Sequence, residues 1–430
     1  MRTTLPRRSL LTTTAVGAAL GATTLLPATA SAAPTGHGSR RRSTVRFDLD
    51  AEVLDGGEQV VSLTLRSRAL SSVARDSLTA ETFTVHVRAS SPLDGAVAYD
   101  LDRPVTAARW SGQDIVLELE HGFGVEGAGT LLYTSGRNVQ LDLEYTITQV
   151  SPLRERGKKR SRVELERFEQ GDLVSPEVDA FTHHQVEGGL KYRLFTPSSS
   201  SKGGKRRHRK GQRKALVVWL HGGGEGGLLT GGHDYYDNET TLRANRGALG
   251  FATKEAQKAF DGAYVVAPQA TSAWMQDGDG FAPQIQAVID EVIACERIDV
   301  DRIHVLGCSN GGYMTLKMVA DHPEQFASQV PICAAVSGPE GTFHLSDDTL
   351  SSLSSTPTWL VTAENDDTLD PIANTVRFHE LIEGSLLSLY PTVEWDGVEY
   401  PGHWSWIYVA RNDPEQEGVR LWDWMAAQDR

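Results

Sequence analysis

The sequence predicts an all-β sandwich followed by an α/β domain whose mostly parallel sheet carries helices on both faces. Three observations support this. Between about residues 44 and 150, apolar residues recur at every second position, the period of half-buried strands. Beyond residue 175, short apolar strands alternate with helix-compatible runs. Between one such strand and the next helix lies Gly307-Cys308-Ser309-Asn310-Gly311, a Gly-x-Ser-x-Gly in the place of a strand-to-helix turn. At 430 residues, two domains are expected.

The first segment is set aside from the fold. Arg7-Arg8 precede an apolar run over 10–26, and Ala28-Thr29-Ala30 and Ala30-Ser31-Ala32 both suit a small-residue cleavage site. Residues 1–32 therefore read as a secretory signal peptide. The arginine pair resembles a twin-arginine export signal, with an ordinary Sec signal as the rival, so the protein is expected to be secreted. Residues 33–43 follow as a polar linker. No later apolar run approaches the length of a membrane span. Loss of the signal's three arginines takes the net charge from −14 to −17, and so acidic a chain is a poor nucleic-acid partner. Three cysteines allow one disulfide at most, so the fold does not depend on such bonds. No spacing of metal ligands appears, and neither a metal nor a cofactor is expected.

Within the first domain, alternation over 45–51, 60–65, 83–87, 115–119 and 139–147, with turn clusters such as Asp55-Gly56-Gly57 between, predicts about six or seven strands of immunoglobulin-like pattern over 44–150. No constellation there carries chemistry; a plain structural module is the favoured reading, with surface or polymer (substrate) docking, homo-oligomer formation and shading of the active site as the other roles open to it. A charged linker is expected over 151–174, then the second domain over 175–430. That domain opens with an antiparallel pair over 183–185 and 191–195, followed over 198–214 by a segment with the basic run Lys205-Arg206-Arg207-His208-Arg209-Lys210, which reads as a solvated loop. Strands follow over 215–220, 263–267, 302–306, 329–332 and 358–362, and helices over 247–260, 283–295 and 312–321.

A serine hydroxyl needs a base, an orienting acid and donors for an oxyanion. In the α/β-hydrolase layout the reacting groups follow the order Ser, Asp or Glu, His. Ser309 is the nucleophile candidate, with small residues two before and two after to relieve the crowded turn. Downstream of the strand over 358–362, Glu364, Asp366, Asp367 and Asp370 compete as the acid; Asp366 is favoured, Asp367 is its rival, and Asp370 before Pro371 suits a helix cap. His403, after Gly402 in a late loop, is the base candidate. His379 lies in a helical stretch over 372–382, and His344 precedes the acid. Upstream, the strand over 215–220 ends in His221-Gly222-Gly223-Gly224-Glu225-Gly226-Gly227. Bare glycine amides there, with the Asn310 amide, are suited to an oxyanion hole. His221 reads as a brace for that loop. A phosphate-binding loop would need a Gly-Lys-Ser/Thr ending that is missing.

His221-Gly222-Gly223-Gly224-Glu225, Ala267-Pro268-Gln269 with Trp274, Asp301-Arg302-Ile303-His304-Val305, the elbow through Tyr313, and Gly402-His403 together resemble secreted α/β-hydrolases called predicted peptidases. These are related to prolyl-oligopeptidase-like enzymes, feruloyl esterases and polyhydroxybutyrate depolymerases, and some carry an immunoglobulin-like N-terminal domain and act as carboxylesterases. The resemblance implies Ser309 as nucleophile, Asp366 as acid, His403 as base, and Gly223 with Asn310 as oxyanion donors. Asn310 stands where methionine is frequent, and Ala363 where the acid loop usually has glycine.

The expectation is thus a secreted, cofactor-independent serine hydrolase acting on small-molecule or polymeric carboxylic esters. Ester is favoured over peptide because no large propeller or lid domain is present to screen peptides. Trp274, Tyr313, Trp404 and Trp406 are candidates for an aromatic pocket. A secreted peptidase with the same reacting groups and a binding protein on an inactive hydrolase fold are the alternatives.

Overall fold

The computed structural model describes residues 44–158, 160–198, 212–228, 235–336 and 344–430. The expected signal peptide and linker over 1–43, and the basic run over 205–210, lie outside them. In the N-terminal part the strands are β1 (Val45–Leu54), β2 (Gly57–Arg66), β3 (Phe83–Ser90), β4 (Val97–Arg103), β5 (Val105–Ser111), β6 (Asp114–Leu119), β7 (Leu131–Thr134), β8 (Arg137–Gln140), β9 (Asp142–Gln149), β10 (Leu153–Arg154), β11 (Arg162–Val163) and β12 (Phe168–Val174). One sheet has the order β12-β1-β2-β6-β5 and a second the order β4-β3-β9. Their inner residues, among them Phe47, Leu49, Leu63, Val85, Leu117 and Ile147, share one core. The alternation that placed β1 in the sequence is the alternation seen: Val45, Phe47, Leu49, Ala51 and Val53 are buried and their neighbours are not.

Two sequence expectations need correction here. The stretch 151–174, expected as a linker, contains β10 to β12, and β12 pairs in parallel with β1. Its charged outer residues masked a strand that uses only one face. The run 139–147, expected as one strand, divides at Leu141. There β8 pairs only with β7 in a separate hairpin, whereas β9 joins β3.

The second part contains β13 (Phe181–Gln185), β14 (Lys191–Phe195), β15 (Lys214–Leu220), β16 (Ala263–Gln269), β17 (Ile298–Cys308), β18 (Ser328–Ile332), β19 (Trp359–Ala363) and β20 (Leu386–Tyr390). They form one sheet of order β13-β14-β16-β15-β17-β18-β19-β20. The first two are an antiparallel entry pair, and from β16 to β20 all neighbours are parallel. Period two is visible across β15: Leu216, Val218 and Leu220 enter the core on one face, Ala215, Val217 and Trp219 the core on the other. Both faces are therefore covered, as a parallel sheet requires.

The helices that matter for the site are α1 (Pro176–Asp179), α2 (Thr240–Arg243), α3 (Gly247–Ala252), α4 (Lys254–Ala259), α5 (Gly278–Cys295) and α6 (Asn310–Asp321). The helix expected over 247–260 is broken at Thr253, which takes an extended backbone and caps α4 by accepting from the Ala256 amide. The helix expected from residue 283 begins earlier. Asp277 caps it at the Gly280 amide, and Pro283 lies inside rather than at the start. All three cysteines are unpaired.

The two parts pack together through buried charge. Glu58 on β2 pairs with Arg243 on α2, and both side chains are nearly inaccessible. Glu58 also accepts from Thr130 at 2.7 Å, and Arg243 reaches Glu239 at 2.9 Å. Asp55, in the β1–β2 turn, holds Arg411 through two bonds of 2.9 and 3.0 Å. Arg246 spans the junction from Val53 to Glu177 on α1.

Candidate active site

Loops at the carboxyl ends of β15, β17 and β19 converge, the usual ligand position in such a sheet. Ser309 follows β17 with φ 54° and ψ −115° and precedes α6 directly. A non-glycine residue with this backbone is strained, and the surrounding packing must hold it there. The two flanking glycines explain how. A Cβ on Gly307 would lie 2.4 Å from the Leu220 carbonyl oxygen, and one on Gly311 would lie 2.0 Å from the same atom. Only bare backbone lets the elbow approach the end of β15 this closely.

His403 Nδ1 and Asp366 Oδ2 are 2.8 Å apart, with the Asp366 side chain fully buried. The second carboxylate oxygen of Asp366 accepts from the amides of Thr368 and Leu369, each at 2.9 Å. Three donors therefore fix this carboxylate. With Nδ1–H given to Asp366, Nε2 is left as the nitrogen with a lone pair. Asp367 is exposed and accepts a long bond from the Thr368 hydroxyl, at 3.5 Å, and Asp370 accepts from the Ile372 and Ala373 amides as a cap. The structure thus separates the two rival acids. His379 bonds Ser385, and His344 packs against Tyr313.

Cys333 joins these loops. The Ser309 amide donates to Ile332, the residue before it, at 2.8 Å, and the Cys333 amide donates to Val361 on β19. Its thiol is pushed well up by burial and by the nearby Asp366 charge, and it contacts Ser405, two residues past His403. One buried cysteine therefore touches the serine, acid and histidine segments together.

Opposite the elbow, a carbon on Gly223 would lie 3.8 Å from Asn310 Cβ, so the two expected donor positions are neighbours. Asn310 opens α6, where the first amides have no partner within the helix. Its side chain accepts from the Met275 amide at 3.0 Å, which ties the elbow to the loop after β16. His221 is the brace the sequence suggested. Nε2 accepts from the Ala270 amide at 3.0 Å, so Nδ1 carries the proton and donates to the Gly222 carbonyl at 2.6 Å. Burial holds this imidazole down to about 4, neutral at ordinary pH.

The aromatic candidates divide. Trp274 is fully buried and donates to the His221 carbonyl, and Tyr313 is buried in the core. These two expected pocket residues are correctable to supports of the loop and of α6. Trp404 is half-buried beside His403, stacked near Trp406 and edge-on to Phe123 at 5.7 Å. Phe123 belongs to the N-terminal domain, as do Tyr133 and Asn138, which lie against Gly224. Sequence reasoning missed all three, and also Glu225 as the counterpart of Asn138. Their signal is three-dimensional contact between distant segments, which local periodicity does not contain.

This is an α/β-hydrolase fold preceded by a β-rich domain. Residues 270–338 match the model of the prolyl oligopeptidase family. NocK of Nocardia uniformis subsp. tsuyamanensis, a protein that carries the name of an esterase, is 29% identical over 126 residues, 29% of this chain and 34% of NocK. The poly(3-hydroxyalkanoate) depolymerase C of Paucimonas lemoignei is 37% identical over 82 residues, 16% of this chain and 20% of that protein. These matches thus span about a third and a fifth of the curated relatives. A crystal structure of a thermostable esterase is similar with a TM-score of 0.70 over 89% of this chain and 99% of its own, at 23% identity; this likeness establishes the fold of both parts.

Proposed function

We propose that this protein is a secreted serine hydrolase that cleaves carboxylic esters through an acyl-enzyme. His403 Nε2 takes the Ser309 proton as Oγ attacks the ester carbonyl. Asp366 fixes the tautomer and stabilises the imidazolium that forms. The tetrahedral oxyanion rests on the amides of Gly223 and Asn310, at the positive end of α6. His403 then protonates the departing alcohol, and water activated by the same imidazole releases the acid. The observation that supports this reading most is the Asp366–His403 bond on a buried carboxylate, together with an elbow serine held at φ 54°. The named esterase relatives favour esters.

The family match over residues 270–338 keeps a peptidase as the second reading. Turnover of a panel of p-nitrophenyl esters and peptide anilides by wild type and Ser309→Ala separates the two. Ester turnover lost in the variant supports the proposal, and anilide turnover alone replaces it with the peptidase. A folded wild type inert toward both classes would instead indicate a binding protein.

A further inference from the structure

We infer that the N-terminal domain sets the oxyanion hole: Asn138, on the β7–β8 hairpin, holds the Gly223–Glu225 turn in place through the buried Glu225 carboxylate. The inference rests on the serine-hydrolase reading and adds a positioning residue from outside the catalytic domain.

Three contacts lead to it. Asn138 Nδ2 donates to Glu225 Oε1 at 3.1 Å, across 87 residues of sequence. The hairpin lies directly on the turn, because a Cβ on Gly224 would come within 3.1 Å of Asn138 Nδ2 and 3.2 Å of the Tyr133 ring. Glu225 folds back under its own loop, its Oε2 3.0 Å from where a Gly222 Cβ would stand. The carboxylate is therefore a clasp between the hairpin above and the turn that carries the Gly223 amide. On the other side, Gln269 donates to the Glu225 carbonyl at 3.0 Å. The catalytic domain fixes the main chain of the turn, and the β7–β8 hairpin adds the Asn138 contact to its side chain.

A carboxylate in this position is costly unless it serves a contact. Burial pushes Glu225 up to about 7. The charged or titratable groups facing it are Arg137 from β8, which favours its charge, and the Cys308 thiol beneath the turn. Its neutral donors are the Asn138 side chain and the backbone amides of Gly222 and Glu225. An oxyanion donor acts only when aimed at the developing charge, and small misplacement lowers kcat more than substrate binding.

The test is kcat and KM for p-nitrophenyl acetate, with folding checked by circular dichroism. Asn138→Ala is expected to lower kcat by about tenfold or more, with KM changed less than about threefold. Asn138→Asp keeps the shape but sets a second carboxyl against Glu225. Its activity relative to wild type should fall steadily as pH rises from 5.5 to 8.5, because both acids ionise and the donation is lost. Asp55→Asn weakens a different cross-domain pair and should leave kcat within about twofold. An unchanged kcat in Asn138→Ala, a pH-independent ratio for Asn138→Asp, or an equal loss in Asp55→Asn would overturn the inference while leaving the hydrolase reading intact. A folded wild type without ester turnover would remove both.

Discussion

Asp366 and Asp367 are adjacent in sequence and opposite in situation. One is buried, triply bonded and 2.8 Å from the imidazole; the other is exposed. Asp366→Asn should lower kcat by about 10⁴, because the amide leaves His403 in the wrong tautomer. Asp367→Asn should leave it within about twofold, and steady-state kinetics on a p-nitrophenyl ester reads both. Glu225 supplies a pH prediction. Its folded carboxyl titrates near 7 against an ordinary 4.5, so folding takes up a proton between those values. Stability from this group is full below pH 4.5 and falls as pH rises to 7. Glu225→Gln should then be more stable than wild type at pH 8, by about 3 kcal/mol at most, and gain nothing at pH 4. Urea unfolding at both pH values checks it. Ser309, His403 and His221 were legible as candidates because each sits at a turn with a distinctive neighbour. The choice between Asp366 and Asp367 was not, since a one-residue step in a loop decides which carboxylate turns inward.

At the scale of elements, the elbow depends on two glycines under the end of β15. Gly311→Ala places a methyl 2.0 Å from the Leu220 carbonyl and 2.5 Å from that of His221, and backbone on both sides leaves little room to yield. It should cost about 1–3 kcal/mol in urea unfolding and most of the activity, since Ser309 moves with it. Strands β15 to β19 were legible because they are apolar on both faces. The outer strands β4 and β5 were not, for most of their residues are exposed or half-exposed and leave a weak pattern. The break between α3 and α4 at Thr253 shows the same limit from the helix side. A single cap divided a continuous helix-compatible run.

At the scale of the molecule, the described residues form one compact unit, and its seam is built from pairs such as Glu58 with Arg243, 185 residues apart. Arg243→Met leaves the Glu58 carboxylate buried with Thr130 alone as a side-chain donor. It should destabilise the protein by about 3–5 kcal/mol, and the Glu58→Met, Arg243→Met double variant should recover part of that loss; urea unfolding of both variants measures it. Such pairs could not be read from periodicity, which reports the environment of a segment and not its partner. The sequence left the sandwich without an assigned role, whereas its hairpin and the Phe123 loop meet the rim of the candidate site.

The most direct test of the central claim, that Ser309 is a nucleophile activated by His403 and Asp366, is labelling with a fluorophosphonate followed by intact-mass and peptide mass spectrometry. One adduct is expected, mapped to Ser309, absent in Ser309→Ala and formed far more slowly in Asp366→Asn. A folded protein that stays unlabelled, or an adduct on another residue, would contradict it.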